Sequence, residues 1–304
     1  MIAGLEKGQR MNRTGIKRRL LVLFWVTFLA VACGGSGDDG GDNGSCVDND
    51  GDGYGANCDL GQDCNDSSAA VHPGAMEFCD GIDNNCDGQT DEQVEVYFPD
   101  SNLKTAIISE LGLSGDTVYN TAFCQLTSLD LRNKGISSLS GIEYAWALNL
   151  LLLDGNPLTD ISSLATLAGM GFLSLGNTGI YDLSPLSGLT NMEFLYLNNN
   201  NLTDLSGLSA MKSLNTIDVS YNPALSDLSL LSGLHSLQSI FVQYDNIGSI
   251  KPLWDNASLG PGDQVELHHN PLDSLSCCTY IPDLKDRGAT FLNDDGYCSA
   301  TYAC

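Results

Sequence analysis

The stretch that decides the fold reads "LNLLLLDGNPLTDISSLATLAG" from residue 148 to 169. Two further stretches copy it: "MGFLSLGNTGIYDLSPLSGLTN" at 170–191 and "MEFLYLNNNNLTDLSGLSAMKS" at 192–213. Each copy has 22 residues and carries apolar side chains at the same offsets. One copy alone cannot bury these side chains, whereas stacked copies share a continuous core. The pattern therefore predicts a solenoid with one short strand and one return segment per repeat.

The repeat extends in both directions from this stretch. An earlier copy, "LTSLDLRNKGISSLSGIEYAWA", begins at residue 126, and the copy that begins at residue 214 has one inserted residue after Pro223. The copy from residue 237 keeps its strand and then enters a longer loop, and "VELHHNPLDSL" at 265–275 is a partial last copy. We therefore predict about seven repeats over residues 126–275.

One polar position recurs at the turn after each strand. Thr178 and Asp245 replace the usual Asn there plausibly, whereas Lys134 in the first copy does not, as is typical of an end repeat. A side-chain amide at this position bonds backbone groups of neighbouring turns. In four copies the residue is Asn, namely Asn156, Asn200, Asn222 and Asn270.

This LxxLxLxx(N)xL framework resembles the leucine-rich repeat of the short, internalin-like bacterial class. The resemblance implies an α/β-type solenoid, a leucine-rich repeat arc with a helical cap at its N-terminal end. "VYFPDSNLKTAIISELG" at 96–112 resembles that cap, because its apolar residues recur at helical spacing. We expect the N-terminal cap at 93–125 and a disulfide-bonded C-terminal cap at 276–304.

Strand alternation predicts which side chains lie on the outer, concave face of the repeats. Ser174 and Glu266 fall at outward positions, and aromatic residues crowd the third to sixth repeats. We expect a partner-binding face with aromatic anchors and an acidic rim. The alternative is that some rings, such as Phe172 and Phe194, stack only to cover neighbouring strands. The candidate partner-binding residues are Tyr196, Phe241, Tyr244, Phe194, Asp218 and Tyr221.

Residues 46–92 have a different composition: the segment contains no Lys or Arg and few large apolar residues. It cannot fold by burial alone, so disulfides and cations must hold it. In "DNDGDGYG" at 48–55, carboxylates lie at positions 1, 3 and 5 of a loop with glycine at position 6, as in calcium-binding loops. "DGIDNNCDGQTDE" repeats this spacing from Asp83. The candidate metal ligands are Asp48, Asp50, Asp52, Asp59, Asp63, Asn65, Asp66, Asp83, Asn85, Asp87, Asp91 and Glu92.

The same segment resembles the MopE-type metal-binding repeat of bacterial surface proteins, through "DNDGDGYG", "DCNDSSAAVHPGAMEFCDGIDNNCDG" and "TDE". That family is linked both to calcium-like loops and to copper. Oxygen ligands favour calcium, since copper prefers imidazole or sulfur, for which only His72 and Met76 remain if the cysteines are oxidised. The alternative to any metal is a solvated acidic linker.

Cysteine count predicts disulfides, because the signal described below indicates an exported protein. Of the 11 cysteines, Cys33 is set aside as a lipidation site, which leaves ten. The odd number near the N-terminus predicts that Cys124 bonds back to the acidic segment. Adjacent Cys277 and Cys278 should each pair with Cys298 or Cys304. The predicted bridges use Cys46, Cys58, Cys64, Cys79, Cys86, Cys124, Cys277, Cys278, Cys298 and Cys304.

The first 32 residues are predicted to be an export signal. Three basic residues at 17–19 precede a 13-residue apolar run that ends in "LAVAC". This pattern resembles a bacterial lipoprotein signal, although Leu29 is one place further from the cysteine than is usual. The resemblance implies lipidation at Cys33, a flexible tether at 33–45 and anchoring in the cell envelope, in the outer membrane. A plain secretory signal and a single membrane anchor are the alternatives.

Net charge excludes some partners. The chain carries 38 acidic and 13 basic residues, a net charge of −25. Nucleic acid is therefore not expected as a partner, and contact with a membrane is expected only through the lipid anchor. A basic protein or glycan partner would complement this charge. The sequence shows no nucleophile with a base, HExxH motif or phosphate-binding glycine loop, so we do not expect an enzyme.

Three functions compete at this point. The first is a surface-anchored protein that holds a protein or glycan on the concave face, with the acidic module as a calcium-stabilised spacer. The second is a metal-scavenging or metal-sensing surface protein. The third is an architectural protein of the envelope.

Overall fold

The computed structural model describes residues 45–293 and Cys298. By its internal contacts the chain divides into Met1–Ser45 and Cys46–Cys304, and almost all described residues lie in the second unit. The predicted signal, the lipidation of Cys33, most of the tether and the role of Cys304 lie outside the described residues. Within the described part, every helix is too short or too polar to cross a bilayer.

In the part of the chain that the structure describes, eight short parallel strands form one open sheet in chain order. Neighbouring strands pair without slippage, so Leu129 lies opposite Leu151, which lies opposite Leu173. The 22-residue period gives this register in the first repeats, and the longer fifth and sixth copies keep it because their extra residues lie outside the strands. The sheet has one strand more than the seven predicted repeats, because the C-terminal segment adds a two-residue strand. Strands β1 to β8 span Ser128–Asp130, Leu150–Leu152, Phe172–Ser174, Phe194–Tyr196, Thr216–Asp218, Ser239–Phe241, Gln264–Glu266 and Thr290–Phe291.

The core lies between the sheet and the return segments. The middle residue of each three-residue strand points into it, as Leu151 and Leu173 do, and each 3₁₀ turn adds a buried apolar residue, such as Leu186 or Leu208. Aspartate residues start four of these turns; the Asp182 carboxylate, for example, accepts from the Ser184 N–H at 2.8 Å. The 3₁₀ turns are Asn120–Phe123, Ile142–Tyr144, Ser162–Leu164, Ser184–Leu186, Ser206–Leu208 and Ser229–Gly233.

The predicted cap helix is present as α1, Ser101–Leu111. Asp100 caps its start, and Gly112, in the left-handed conformation, ends it. Leu103 and Ile107 of α1 are fully buried against the first repeat. At the other end lie α2, Lys251–Asp255, a π-helical turn, Ser276–Tyr280, and α3, Ile281–Asp286.

The recurring polar position forms a ladder inside the stack, as the sequence predicts. The Asn156 side chain donates to the carbonyls of Leu131 and Leu153, at 2.8 and 2.7 Å, and accepts from the Ile136 N–H. Asn200, Asn222 and Asn270 donate in the same way. At the same position Thr178 donates its hydroxyl to the Leu175 carbonyl, and Asp245 accepts from the Asn222 N–H at 2.5 Å.

Disulfide bonds stabilise both ends of the stack. Cys46–Cys58 and Cys64–Cys86 lie within the acidic module, and Cys277–Cys298 closes the C-terminal end. Cys79–Cys124 joins the acidic module to the N-terminal cap, as cysteine parity predicts. Cys278 is disulfide-bonded as well.

Candidate metal centre and binding surface

The first acidic loop wraps around the Asp48 carboxylate. The two oxygens of Asp48 accept from the N–H groups of Gly51 at 2.6 Å and Gly53 at 2.9 Å. Asp50 and Asp52 each accept from the N–H two residues ahead, at 3.3 and 2.8 Å. Gly53 has φ +94°, a backbone conformation that residues with a side chain rarely adopt. The glycine therefore allows the sharp turn. The 1-3-5 spacing thus produces a compact loop in which each of the three carboxylates accepts from a backbone N–H of the loop itself.

The second loop repeats this geometry. The Asp83 carboxylate accepts from the Gly88 N–H at 2.8 Å, as Asp48 does from Gly53. The side-chain oxygens of Asn85 and Asp87 accept from the N–H groups two residues ahead, both at 2.9 Å. Two separate segments of the acidic module therefore adopt the same local fold.

Two acids from the following segment complete the first loop. Carboxylate oxygens of Asp50, Asp52 and Asp63 lie within 4.8 Å of one another, as do those of Asp48, Asp50 and Asp66. One buried oxygen on each of Asp50, Asp52 and Asp63 has no hydrogen-bond partner among the described residues. Asp63 is only 9% exposed. Asp50, Asp52 and Asp63, which we call the first acidic centre, therefore offer a set of unpaired carboxylate oxygens.

Other predicted ligands lie elsewhere. Asp59, expected at loop position 12, is exposed and lies outside these groups. The reason is a turn at 58–61, closed by the Gly61 N–H donating to the Cys58 carbonyl at 3.2 Å, next to the bond that ties Cys58 to Cys46. Asn65 binds the Ser67 hydroxyl at 2.7 Å, and Asp91 accepts from the Gly81 N–H at 3.0 Å.

Around the second loop the important acid is one that sequence reasoning missed. Glu77 is 2% exposed, and its Oε1 accepts from the Asn85 N–H at 2.6 Å. The Asn85 amide donates to Glu92 Oε1 at 2.9 Å. Glu77 Oε2 and Glu92 Oε2 are buried without a partner among the described residues. The acids of this loop are not gathered as closely as those of the first acidic centre. Glu77 stands in the quoted "GAMEFCDG", six residues before the loop, beyond the reach of a 1-3-5 pattern.

The electrostatics of both loops favour a cation. Burial raises the pKa of Asp50, and the charges of Asp52 and Asp63 raise it further. Burial also raises the pKa of Glu77, and Glu92 and Asp83 add to this. Buried carboxylates that repel each other bind either protons or a metal ion.

The donor chemistry fits a hard cation better than copper. The His72 ring stacks on Tyr54, with centroids 4.6 Å apart, and its Nδ1 lies 3.2 Å from the Pro73 carbonyl. Cys64 and Cys86 lie near Asp63 but are bonded to each other, so neither offers a thiolate. Carboxylate and amide oxygens therefore dominate the site, and these are the ligands that calcium prefers.

The exposed face of the sheet carries a first group of aromatic residues on β3 and β4. The Phe172 and Phe194 rings stack at 5.7 Å, and Tyr196 lies 5.4 Å from Phe172. All three are half-buried. Their mutual packing fits the alternative that these rings cover neighbouring strands.

A second group forms a column along the turns that follow β5, β6 and β7. The Tyr244 ring stacks on Tyr221 at 4.4 Å and on His269 at 4.2 Å. Tyr221 and Tyr244 are 43% and 37% exposed, and His269 is also exposed. We call these three residues the aromatic column. They occupy one backbone position in successive repeats, with φ of +59°, +61° and +59°. Earlier repeats place Asn133, Gly155, Asn177 and Asn199 there.

Acidic groups lie beside the aromatic column. Burial raises the pKa of Asp218, which accepts from the Ser220 hydroxyl at 2.6 Å. Glu266 is buried, and its carboxylate lies 3.0 Å from Nδ1 of His268. Ser174 is also buried, and its hydroxyl donates to the Asp154 carboxylate at 2.6 Å. The outward positions of Ser174 and Glu266 are therefore less accessible than strand alternation predicts, whereas Phe241 is half-buried.

Comparison with known proteins finds matches to both parts of the chain. Residues 63–92 match the model of the Cu-binding MopE family, described as "putative metal-binding motif". Residues 172–210 match a model of two leucine-rich repeats. No curated protein sequence matches this chain.

Among solved structures, two internalins of Listeria monocytogenes str. 4b F2365 are similar. Internalin inlF is 30% identical with a TM-score of 0.54, and the match covers 58% of this chain and 52% of that chain. The chain thus spans about half the length of inlF. Internalin C2 is 26% identical with a TM-score of 0.51, and the match covers 64% of this chain and 94% of that chain.

These findings confirm the two sequence resemblances. The chain carries a MopE-type metal-binding motif followed by leucine-rich repeats with an internalin-like fold. A repeat fold of this kind serves protein binding, and the motif indicates a metal site.

Proposed function

We propose that this protein is an exported, envelope-anchored binding protein that holds a protein partner on the exposed sheet face and the aromatic column. The acidic module acts as a calcium-stabilised spacer. The observation that carries the proposal is the aromatic column itself. Three exposed rings stand at a backbone position that other repeats give to asparagine or glycine.

The left-handed backbone conformation of the aromatic column supports a binding role for its rings. A left-handed conformation costs about 1 kcal/mol or more for a residue other than glycine, and asparagine tolerates it better than tyrosine. Tyr221, Tyr244 and His269 accept this cost while leaving much of their ring surface in solvent. Strained residues of this kind cluster at functional sites, and exposed tyrosines are frequent anchors of protein interfaces.

The charge around the aromatic column sets the character of the partner. Asp218 and Glu266 lie on the adjacent strands, and the whole chain has a net charge of −25. A partner with basic side chains at the rim would gain in association rate and specificity. A glycan is the alternative partner, but the column rings stack face to face, which leaves few open faces for sugar rings.

The experiment replaces Tyr221 and Tyr244 with asparagine in one variant. The control variant carries Tyr97→Asn and Tyr181→Asn, two tyrosines that are 78% and 62% exposed away from the column. Both variants and the wild type are used to capture proteins from the envelope of the source cell, with quantification by mass spectrometry. We expect the same partner with wild type and control and its loss with the column variant. Equal capture by all three would contradict the proposal.

Calcium is proposed for the acidic module because the first acidic centre presents only carboxylate oxygens. The metal-scavenging alternative rests on the same three unpaired acids, Asp50, Asp52 and Asp63. Asp50→Asn with Asp52→Asn separates the two functions. A spacer role predicts lower stability with retained partner capture, whereas scavenging predicts that the cellular function is lost with the ion.

A further inference from the structure

The junction between the acidic module and the repeat cap is organised around one asparagine. Asn120, in the 3₁₀ turn Asn120–Phe123, is 2% exposed. Its amide donates to the backbone carbonyls of Glu77 at 3.3 Å and Glu92 at 3.2 Å. Its side-chain oxygen accepts from the Val94 N–H at 3.0 Å. The repeat cap therefore holds the backbone of two acidic residues that flank the second loop.

The side chains of these two acids converge on the loop from the other direction. Glu77 and Glu92 each use one carboxylate oxygen to accept from Asn85, through its backbone N–H and its amide. The second oxygen of each is buried and has no partner among the described residues. Glu77 is 98% buried, so water does not replace the missing partner freely. An unpaired buried carboxylate is among the more costly features of a folded protein.

Asn85 is the third position of a loop whose first and fifth positions are Asp83 and Asp87. Both glutamates therefore contact the loop at its third position, and each keeps a buried second oxygen without a partner among the described residues. We infer that Glu77 and Glu92 are ligands of the second-loop ion, and that this ion fastens the acidic module to the N-terminal cap of the repeats. The inference rests on the proposed role of the module as a metal site and adds a coupling to the repeats.

The coupling follows from where the ligands are anchored. The Cys79–Cys124 bond joins the module and the cap covalently, and the hydrogen bonds of Asn120 join them a second time. An ion that binds only this arrangement stabilises it by mass action. In a stack of repeats the end units are the first to open, so protection of the cap protects the repeats behind it.

The test uses the oxidised full chain and calcium alone as the probe. Calorimetric titration counts the ions, and hydrogen exchange follows the amides of residues 94–124 with and without calcium. Glu77→Gln keeps the side-chain volume and one acceptor. The matched control is Asp52→Asn in the first loop. We expect two ions for the wild type, about tenfold or more loss of affinity at one site in Glu77→Gln, and loss of calcium-dependent protection at 94–124. Asp52→Asn should weaken the other site and keep that protection.

Glu92→Gln provides the same test if Glu77→Gln fails to fold. Two ions bound with wild-type affinity by these variants would overturn the inference and leave the proposed calcium role standing. So would calcium binding by the wild type that leaves exchange at 94–124 unchanged. A wild-type chain that binds no calcium would overturn both the inference and the proposed role.

Discussion

Asp245 is the one acid in the asparagine ladder, and its protonation makes stability depend on pH. Burial, together with the charge of Asp218, raises the pKa of Asp245 from 3.8 to about 8, although the bond from Asn222 opposes the shift. The folded chain therefore keeps a proton that the unfolded chain releases. This contribution is complete below pH 3.8 and is lost as the pH rises through about 8.

We therefore expect Asp245→Asn to stabilise the protein. The new amide would donate to backbone carbonyls, as Asn222 and Asn270 do, and would carry no charge. The gain in free energy of unfolding should grow from pH 5 to pH 8 and reach about 3 kcal/mol. Urea unfolding at pH 5, 7 and 9 measures it. Asn222→Asp is the mirror control and should lose stability more at pH 9 than at pH 5. A gain that does not change with pH would show that Asp245 is not protonated in the folded state.

Asp100 shows the opposite behaviour. Burial opposes its ionisation, but five hydrogen bonds, from Asn102, Leu103, Ser137 and Ser138, outweigh it and lower the pKa of Asp100 to about 2. Its contribution is present above pH 3.8 and is lost as the pH falls through about 2.

Asp100→Asn should therefore destabilise the cap, because the new amide would face the N–H groups of Ser137 and Ser138. We expect a loss of about 2 kcal/mol at pH 7, measured by urea unfolding. The control is Asp160→Asn, at an exposed turn where the carboxylate accepts from Ser162. Its effect should be within about 0.5 kcal/mol. Equal losses in the two variants would contradict a special role for Asp100.

Some residue roles could be predicted from the sequence, and others could not. The ladder positions, including Thr178 and Asp245, follow from the repeat period alone. The role of Glu77 does not, because it depends on a contact with Asn120, 43 residues further along the chain. Asp63 likewise takes the place expected for Asp59, since a disulfide and a turn redirect the chain between them.

The aromatic column belongs to the turns of three repeats, and its replacement should affect stability little. Tyr221→Asn with Tyr244→Asn removes two stacked ring pairs, Tyr221–Tyr244 and Tyr244–His269, each worth about 0.5–1.5 kcal/mol. The same change relieves two left-handed tyrosines, worth about 1 kcal/mol each. The two effects oppose each other, so we expect thermal unfolding within a few degrees of the wild type. A large loss of stability would indicate that the column is structural, and it would remove the main support for a binding surface.

The strands and both acidic loops were accessible from sequence because each depends on local spacing. The alternation of apolar and polar residues predicted the strands, and the 1-3-5 spacing of acidic residues predicted the loops around Asp48 and Asp83. Four return segments are short 3₁₀ turns with a buried leucine, and their polar starts resemble ordinary loop sequence. The last strand, Thr290–Phe291, has no repeat pattern and pairs only because the preceding stack offers an open edge.

The molecule as a whole must balance a large excess of acidic charge. If the predicted signal is removed at residue 32, 7 basic and 37 acidic residues remain, a net charge of −30. Much of this charge is concentrated in the acidic module, where four cysteines form two internal disulfides. Disulfides restrict the unfolded chain but do not relieve repulsion between carboxylates in the folded one. Bound cations would relieve this repulsion, as the proposed calcium sites would do.

The proposed calcium role predicts how the full oxidised chain responds to calcium. Calcium at 100 times its dissociation constant should raise the free energy of unfolding by about 2.7 kcal/mol for each occupied site. A chelator should remove this gain. Differential scanning calorimetry in calcium, copper or chelator measures it, with Asp50→Asn and Asp52→Asn together as the control variant. We expect a rise in the unfolding temperature with calcium, a smaller rise in the control variant and little response to copper. Stabilisation by copper alone would mean that His72 and Met76, rather than the carboxylates, hold the metal, and the metal-scavenging function would then be preferred over the spacer.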